Sequence, residues 1–355
     1  MPNASPSKSK SNPKPGSNSQ LNSSASSVGL AMSDSPIMFA FEIMGDGAGR
    51  EIFGDEVSHL LADARLAWAH LDANHADTAT WLASQISDLD DIVIEALLAE
   101  ETRPRFVPVN DGVLLILRGV NLNANADPED MVSIRMFVDS RRIVSLQKRP
   151  LRAVADIQTK LAKGSGPKNS SDLIALLMGL LFARMGPVAS DLSGVMDSIE
   201  EHILDGADTL DREKVLEIRK KAIALKRYIH PQRDLVMQMI DNKPALIDKT
   251  GYRRLIEAQD SISRVIDELD AVRERAHIIN DEVTNQLTER LNKNMYALSV
   301  IAAIFLPLGF LTGLLGINIA GIPGAENPAA FAIFCATLSM LVIAQIVLFR
   351  KLKWF

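Results

Sequence analysis

Two long apolar runs near the C-terminal end constrain this chain more than any other feature. Residues 295–317 form 23 positions without a formal charge, and residues 328–349 form another 22. At ~1.5 Å per residue each run spans ~33 Å as a helix, which is enough to cross a hydrocarbon core of ~30 Å. The first run ends with Gly316 and Ile317, and between the two runs lie Asn318 and a loop, residues 319–327, whose only charge is Glu326. The sequence therefore predicts two C-terminal transmembrane helices.

Composition excludes several classes of protein. The net charge is −6 and the chain has no basic patch interleaved with aromatic residues, so we expect no nucleic-acid partner. The one cysteine, Cys335, excludes a disulfide framework and a CxxC zinc site. The chain has no phosphate-binding glycine loop, nucleophile triad or HExxH motif, which argues against an enzyme and against ATP-driven pumping.

The region before the apolar runs divides by composition. Residues 1–35 contain twelve serines and no apolar core segment, which predicts a disordered tail and no cleaved leader. Residues 36–150 have short strand and helix patterns, which predict a cytosolic α/β domain with a small, mainly antiparallel sheet. Residues 151–249 predict a helical hairpin region, with helices over residues 171–204 and 212–240.

A single long helix is predicted from residue 250 into the first apolar run. Its stalk, residues 250–294, carries apolar residues at alternating spacings of three and four, which is a heptad pattern. This seam favours association between chains, although packing within one chain would give the same pattern. The seam residues are Ile262, Val265, Leu269, Val272, Ala276, Ile279 and Val283.

Charges at the ends of the apolar runs predict the topology. Arg290 and Lys293 precede the transmembrane helix of residues 295–318, and Arg350 follows the transmembrane helix of residues 328–349. The tail, residues 350–355, adds further basic residues. Basic residues remain on the cytoplasmic side of a membrane, so we expect both termini to be cytoplasmic and residues 319–327 to be periplasmic.

The segment after the first apolar run carries a family resemblance. Gly316-Ile317-Asn318 is followed by AGIPGAEN at residues 320–327. This resembles the CorA superfamily of divalent-cation transporters, in the zinc-transport (ZntB) branch, which has Gly-Ile-Asn in place of the usual Gly-Met-Asn. Further similar stretches lie at residues 68–72 (WAHLD), 118–123 (RGVNLN), 126–135 (ADPEDMVSIR) and 228–233 (YIHPQR).

The resemblance implies a fold, a location and an activity. The implied assembly is a funnel-shaped homopentamer in the bacterial inner membrane, with the first transmembrane helix lining a central pore. Zn²⁺ is the implied substrate rather than a cofactor, with Cd²⁺, Ni²⁺, Co²⁺ and Mg²⁺ as further cations, and ZntB-like proteins are associated with proton-linked uptake. The alternatives are a Mg²⁺ or Co²⁺ channel of CorA type, and a non-conducting, membrane-anchored scaffold or metal sensor.

The resemblance also assigns roles to individual residues. Gly316, Ile317 and Asn318 correspond to the selectivity filter, where a ring of amide carbonyls would hold the water shell of a cation. Glu326 would form an acidic entrance ring, although a solvated loop carboxylate is an equal interpretation. If the family resemblance is set aside, the position of Asn318 indicates only a residue at the C-terminal end of a helix. The implied pore-lining residues are Met295, Leu298, Leu306, Gly309 and Thr312.

A separate cytosolic metal site is a weaker prediction. His70, Asp72 and His75 lie close together in sequence, and imidazole and carboxylate groups are ligands that Zn²⁺ accepts. The transmembrane runs contain one cysteine and no histidine, so zinc as the substrate depends on the family resemblance and not on recognisable ligands.

Overall fold

The structure is a computed structural model that describes residues 35–63, 65–85, 91–100, 102–204, 212–317, 324 and 327–351. The predicted tail at residues 1–34 lies outside the described residues. The chain forms two compact units. One contains the residues up to Ser193 together with Lys221–Asp270, and the other contains Gly194–Lys220 and Ala271–Phe355.

A seven-stranded sheet organises the first unit. Its strand order is β2-β1-β3-β7-β6-β5-β4, and five of the six pairings are antiparallel, as the sequence predicts. The parallel pairing joins β3 to β7. The strands are β1 (Ile37–Ile43), β2 (Gly49–Glu51), β3 (Ala67–Asp72), β4 (Arg105–Val109), β5 (Gly112–Gly119), β6 (Val132–Val138) and β7 (Arg142–Gln147).

One face of the sheet is covered by three short helices. Side chains such as Leu60, Leu82 and Leu97 pack with Ala69 and Leu146 in one buried cluster. Burying these side chains contributes roughly 1.5–3 kcal/mol each, so the cluster fixes how the helices lie on the sheet. The helices are α1 (Asp55–Ala62), α2 (Thr78–Gln85) and α3 (Asp91–Leu98).

Longer helices follow the sheet. The sequence predicts one helix over residues 171–204, and this is wrong because the chain ends one helix and begins another at Arg184. Pro187 has no N–H to bond the Ala183 carbonyl, and proline is tolerated only in the first turn of a helix. The helices are α4 (Arg152–Ala162), α5 (Ser170–Ala183), α6 (Met185–Leu204) and α7 (Arg212–Asn242).

Helix α8 (Lys249–Leu315) confirms the long helix that runs into the first apolar segment, and α9 (Ala330–Lys351) forms the second apolar helix. At the α-helical rise, the 67 residues of α8 extend ~100 Å. All seven heptad-seam residues, from Ile262 to Val283, are buried within the single chain. The expectation that this seam joins separate chains is therefore wrong, and its period reflects packing within one chain.

Within the described residues, three helical stretches are long and apolar enough to cross a membrane. In the 18-residue apolar segment of Lys249–Leu315 only 6% of the residues are buried in the molecule, and in that of Ala330–Lys351 none is buried. The third stretch, Ser170–Ile203, has half of its apolar segment buried. Its Leu177, Met178 and Phe182 side chains are inaccessible to solvent, so core packing accounts for its apolar composition.

Candidate ion pathway along helix α8

The predicted pore-lining residues share one side of α8. With about 100° between successive residues, Met295, Leu298, Leu306 and Gly309 fall in an arc of about 80°, and Thr312 widens it to about 120°. Met295, Leu298 and Leu306 are 65%, 69% and 72% exposed in the single chain. Space around Gly309 is open where a Cβ would stand. We call Met295, Leu298, Leu306 and Gly309 the α8 stripe.

The opposite side of α8 carries the contact with α9. Val300 is 7% exposed there, and Ala303 and Pro307 are partly covered. Gln345 of α9 donates a hydrogen bond from Nε2 to the Ala303 carbonyl oxygen over 3.3 Å. In an α-helix that carbonyl would accept the N–H of the residue four positions later, which is Pro307 and has none. An amide from α9 therefore bonds the carbonyl that the proline leaves free.

The end of α8 is shaped by a glycine. The Gly316 N–H donates to the Thr312 carbonyl oxygen at 2.9 Å, and a Cβ at Gly316 would lie 2.8 Å from that same oxygen. A side chain at position 316 would push this turn open, so glycine allows the chain to leave the helix here. Ile317 is exposed just beyond. Asn318 and Glu326, the predicted filter amide and entrance carboxylate, lie outside the described residues.

The three residues of the predicted cytosolic metal site are not brought together within the single chain. His70 is fully buried, and its Nδ1 is 2.7 Å from Ser145 Oγ. Asp72 Oδ1 accepts hydrogen bonds from Asn74, and His75 Nδ1 accepts one from the Asp77 N–H. In the part of the chain that the structure describes, no group of three His, Cys, Asp or Glu side chains is arranged to hold a metal ion.

Two carboxylates of α6 are paired with an arginine of α8. Arg275 of α8 pairs with Asp197 and, at 2.7 Å, with Glu200, both on α6. Hydrogen bonding to Glu200 and Asp197 raises the pKa of Arg275. These two carboxylates therefore tie α6 to α8.

A sheet-containing region, one long helix with an apolar end and a second apolar helix make up an architecture that this chain shares with membrane transporters when its relatives are compared. The family model described as "CorA-like Mg2+ transporter protein" matches residues 63–351. The chain belongs to this CorA family, whose members transport divalent cations.

Individual relatives match over nearly the whole length. The divalent cation transporter CmaX of Pseudomonas aeruginosa is 35% identical over 321 residues, which are 90% of this chain and 96% of CmaX. The zinc transport protein ZntB of Pectobacterium carotovorum is 33% identical over 333 residues, 92% of this chain and 98% of that protein. The structure of full-length CmaX superimposes with a TM-score of 0.77 at 34% identity, covering 90% of this chain and 98% of that structure.

Sequence reasoning missed the role of Gln345. The available signal was a single amide in an otherwise apolar run, because polar groups at membrane depth are costly unless they have a partner. What the sequence did not provide was the partner, since Ala303 lies 42 positions away.

Proposed function

We propose that this chain is one subunit of a homopentamer that carries Zn²⁺ inward across the bacterial inner membrane, along an axis lined by the α8 stripe. Gly316, Ile317 and Asn318 form the filter at the outer end, and Glu326 forms the entrance ring. Both chain termini face the cytoplasm, and proton movement accompanies the cation. Membership of a family of divalent-cation transporters is the basis on which this finer proposal is built.

The single observation that carries the pore assignment is the α8 stripe. The stripe is exposed in one chain and lies on the side of α8 away from Val300 and Ala303, where Gln345 of α9 bonds. Two helices from one chain cannot enclose water, so a path for an ion requires α8 helices from several copies around an axis. Small residues in such a helix, here Gly309 and Gly313, favour close approach.

The choice of Zn²⁺ is supported by the relatives named zinc transport protein ZntB, at 33% identity. The second candidate is a Mg²⁺ channel, favoured by the description of the matching family model. An amide filter that holds a hydrated ion suits either cation, because amide carbonyl oxygens accept hydrogen bonds from the water that surrounds both.

Flux into proteoliposomes that contain the full-length protein tests the proposal. We expect Zn²⁺ flux to exceed Mg²⁺ flux, and to rise when the compartment that supplies Zn²⁺ is made more acidic. Asn318→Ala should lower Zn²⁺ flux by about tenfold or more, the equivalent of ~1.4 kcal/mol at the barrier, while the oligomer remains intact. Asn285→Ala, at an exposed amide off the stripe, is the matched control and should leave flux unchanged.

Each contrary result has a defined meaning. Mg²⁺ flux without Zn²⁺ flux would replace the zinc proposal with the Mg²⁺ channel. Unchanged flux in Asn318→Ala would remove that residue from the filter. Absence of flux for both cations would point to a non-conducting scaffold or metal sensor.

A further inference from the structure

An arginine-lined cavity lies in the first unit, apart from the α8 stripe. It has a volume of about 460 Å³ and lies between α7 and the edge of the sheet formed by β4 and β5. Two of the stretches noted in the sequence, RGVNLN and YIHPQR, meet here, because the Arg118 N–H donates to Gln232 Oε1 at 2.9 Å. The lining residues are Glu100, Thr102, Arg103, Arg105, Arg118, Arg227 and Tyr228.

Strand register places three arginines on one face of the sheet. Arg105 on β4 and Arg135 on β6 are both paired with Ile116 of β5, so their side chains point to the same side. Arg118, two residues beyond Ile116, shares that side. Three neighbouring strands therefore bring guanidinium groups together.

The cavity is strongly cationic, with four arginines against the carboxylate of Glu100. Among the described residues, no carboxylate lies within ion-pair distance of Arg103, Arg105 or Arg227, and all three are exposed. Elsewhere in the unit, exposed arginines such as Arg50 and Arg65 have carboxylate partners. The three cavity arginines therefore hold donors that are free to bind an anion.

Arg118 and Tyr228 line the cavity in fixed positions, because the Arg118 guanidinium already donates its hydrogen bonds to backbone carbonyls. Arg118 donates from Nε and Nη2 to the Thr102 carbonyl oxygen and from Nη1 to the Met131 carbonyl oxygen. Its guanidinium carbon is 4.1 Å from the centroid of the Tyr228 ring, and that of Arg227 is 5.6 Å from it. Two guanidinium groups therefore lie over the Tyr228 ring.

Arg135 adds a buried positive charge beside the cavity. It is 1% exposed and donates from Nη2 to the Glu100 carbonyl oxygen at 3.3 Å. In the described part of the chain, its Nε and Nη1 have no hydrogen-bond partner. Burial, together with the charge of Arg118, lowers the pKa of Arg135. A buried cation without a carboxylate is costly, and an anion bound nearby would lower that cost.

We propose that this cavity is a binding site for an oligophosphate anion, that is, a molecule with two or more linked phosphates. A guanidinium group donates two parallel hydrogen bonds to the oxygens of a phosphate. Several guanidinium groups around one cavity provide more donors than a single phosphate can use. A volume of about 460 Å³ is in the range of small-molecule sites. The site is separate from the ion pathway and does not depend on the proposed transport of zinc.

Calorimetric titration of the full-length protein in detergent tests this site. The probes are inorganic triphosphate, ATP and pyrophosphate, with citrate as a multivalent anion that contains no phosphate. The titrations are made in a chelator-treated buffer, because oligophosphates bind divalent cations and transported metal would otherwise confuse the signal. We expect saturable binding of triphosphate at one molecule per chain, and weaker binding of citrate. If ATP binds like triphosphate, the ligand includes nucleotides.

Two double variants distinguish binding in the cavity from a general effect of positive charge on the protein. Arg105→Gln with Arg227→Gln should weaken triphosphate binding by about tenfold or more, since charge-assisted pairs are lost. Arg253→Gln with Arg264→Gln removes the same charge from exposed positions of α8 outside the cavity and should leave affinity unchanged. Arg105→Lys with Arg227→Lys keeps the positive charge but loses the paired donors of guanidinium, so this variant should bind triphosphate with intermediate affinity.

Three results would overturn the proposal. The first is absence of saturable triphosphate binding to the wild-type protein. The second is equal loss of affinity in the cavity pair and the control pair. The third is citrate binding as tightly as triphosphate, which would indicate a site for polyanions in general.

Discussion

His70 has an unusual environment for a titratable side chain. Trp68 Nε1 donates to Ser145 Oγ at 2.7 Å, so the Ser145 hydroxyl is free to donate to His70 Nδ1. The imidazole ring stacks on Phe39 with ring centroids 4.8 Å apart. Burial lowers the pKa of His70 to about 4 from its ordinary value of 6.5. The folded protein therefore holds this histidine neutral.

The lowered pKa predicts a loss of stability in mild acid. Below pH 6.5 the unfolded chain binds a proton at His70 that the folded chain does not, so the free energy of unfolding falls as the pH falls, until about pH 4. Over that interval the loss is about 3 kcal/mol. The measurement is denaturant unfolding of the full-length protein, followed by tryptophan fluorescence, at several pH values.

Two histidine variants make this prediction specific. His70→Gln should flatten the pH dependence, because the amide does not titrate. His59→Gln, at an exposed histidine of α1, should keep the wild-type dependence. Equal pH profiles for wild type and His70→Gln would show that other groups cause the acid effect.

At the scale of the element, the hydrogen bond from α9 to α8 predicts that Gln345 helps to hold α8 in place. Gln345→Leu should lower the apparent Tm in lipid nanodiscs and reduce cation flux, because the Ala303 carbonyl loses its donor. Hydrogen bonds of this kind contribute ~0.6 kcal/mol on average in membrane proteins. Thr337→Val is the control, since the Thr337 hydroxyl donates to the Ile333 carbonyl oxygen of its own helix.

A double-mutant cycle tests whether the lost hydrogen bond to the Ala303 carbonyl causes the effect of Gln345→Leu. Pro307→Ala restores the N–H that can bond the Ala303 carbonyl within α8, so Gln345→Leu should cost less in the Pro307→Ala background than in the wild type. Additive effects would mean that Gln345 acts through packing alone.

Elements with a strong repeating pattern were predictable, and those fixed by neighbours were not. Strand β6 is indicated by alternation in the sequence, β5 by a continuous apolar run, β7 by the turn at Asp139-Ser140 and α8 by its long periodicity. Strand β2 has three residues and β4 contains Pro108, so neither has a recognisable strand pattern. The sequence pattern of residues 78–99 is helical, and the described residues there form α2 and α3, with residues 86–90 outside the described residues.

The candidate sites were likewise predictable only where a repeating sequence pattern determines the position of a residue. The α8 stripe could be predicted because helix geometry fixes which residues share a side. Alternation in β6 separates Arg135 from the apolar side of the strand, but it does not reveal that Arg135 is buried at 1% exposure. That burial depends on elements from elsewhere in the chain, as does the cluster of arginines on three strands.

At the scale of the whole molecule, the exposed side of α8 predicts where copies meet. The buried seam ends at Val283, and between it and the α8 stripe lie two further apolar residues, Leu287 and Leu291, which are 49% and 63% exposed. These two residues lie within about 80° of Met295 and Leu298 around the helix. Native mass spectrometry of the wild-type protein should give five subunits, and a monomer would contradict the proposed pore.

A paired substitution tests this surface. Leu287→Ser with Leu291→Ser should shift the protein toward smaller species, because apolar surface that is buried between copies contributes about 25 cal/mol per Å². Ile278→Ser is the control, since Ile278 is 59% exposed but lies on another side of α8. Equal dissociation in both variants would place the interface elsewhere.

The two edge strands of the sheet determine how readily a strand from another copy of this chain could pair with it. Strand β2 ends the sheet on one side with three residues, and β4 ends it on the other with Pro108, which has no N–H to offer. A short or proline-containing border is a poor template for a strand from another molecule. Neighbouring copies held at high local density in a bilayer would thus be protected from cross-strand aggregation, so that association is left to the helices.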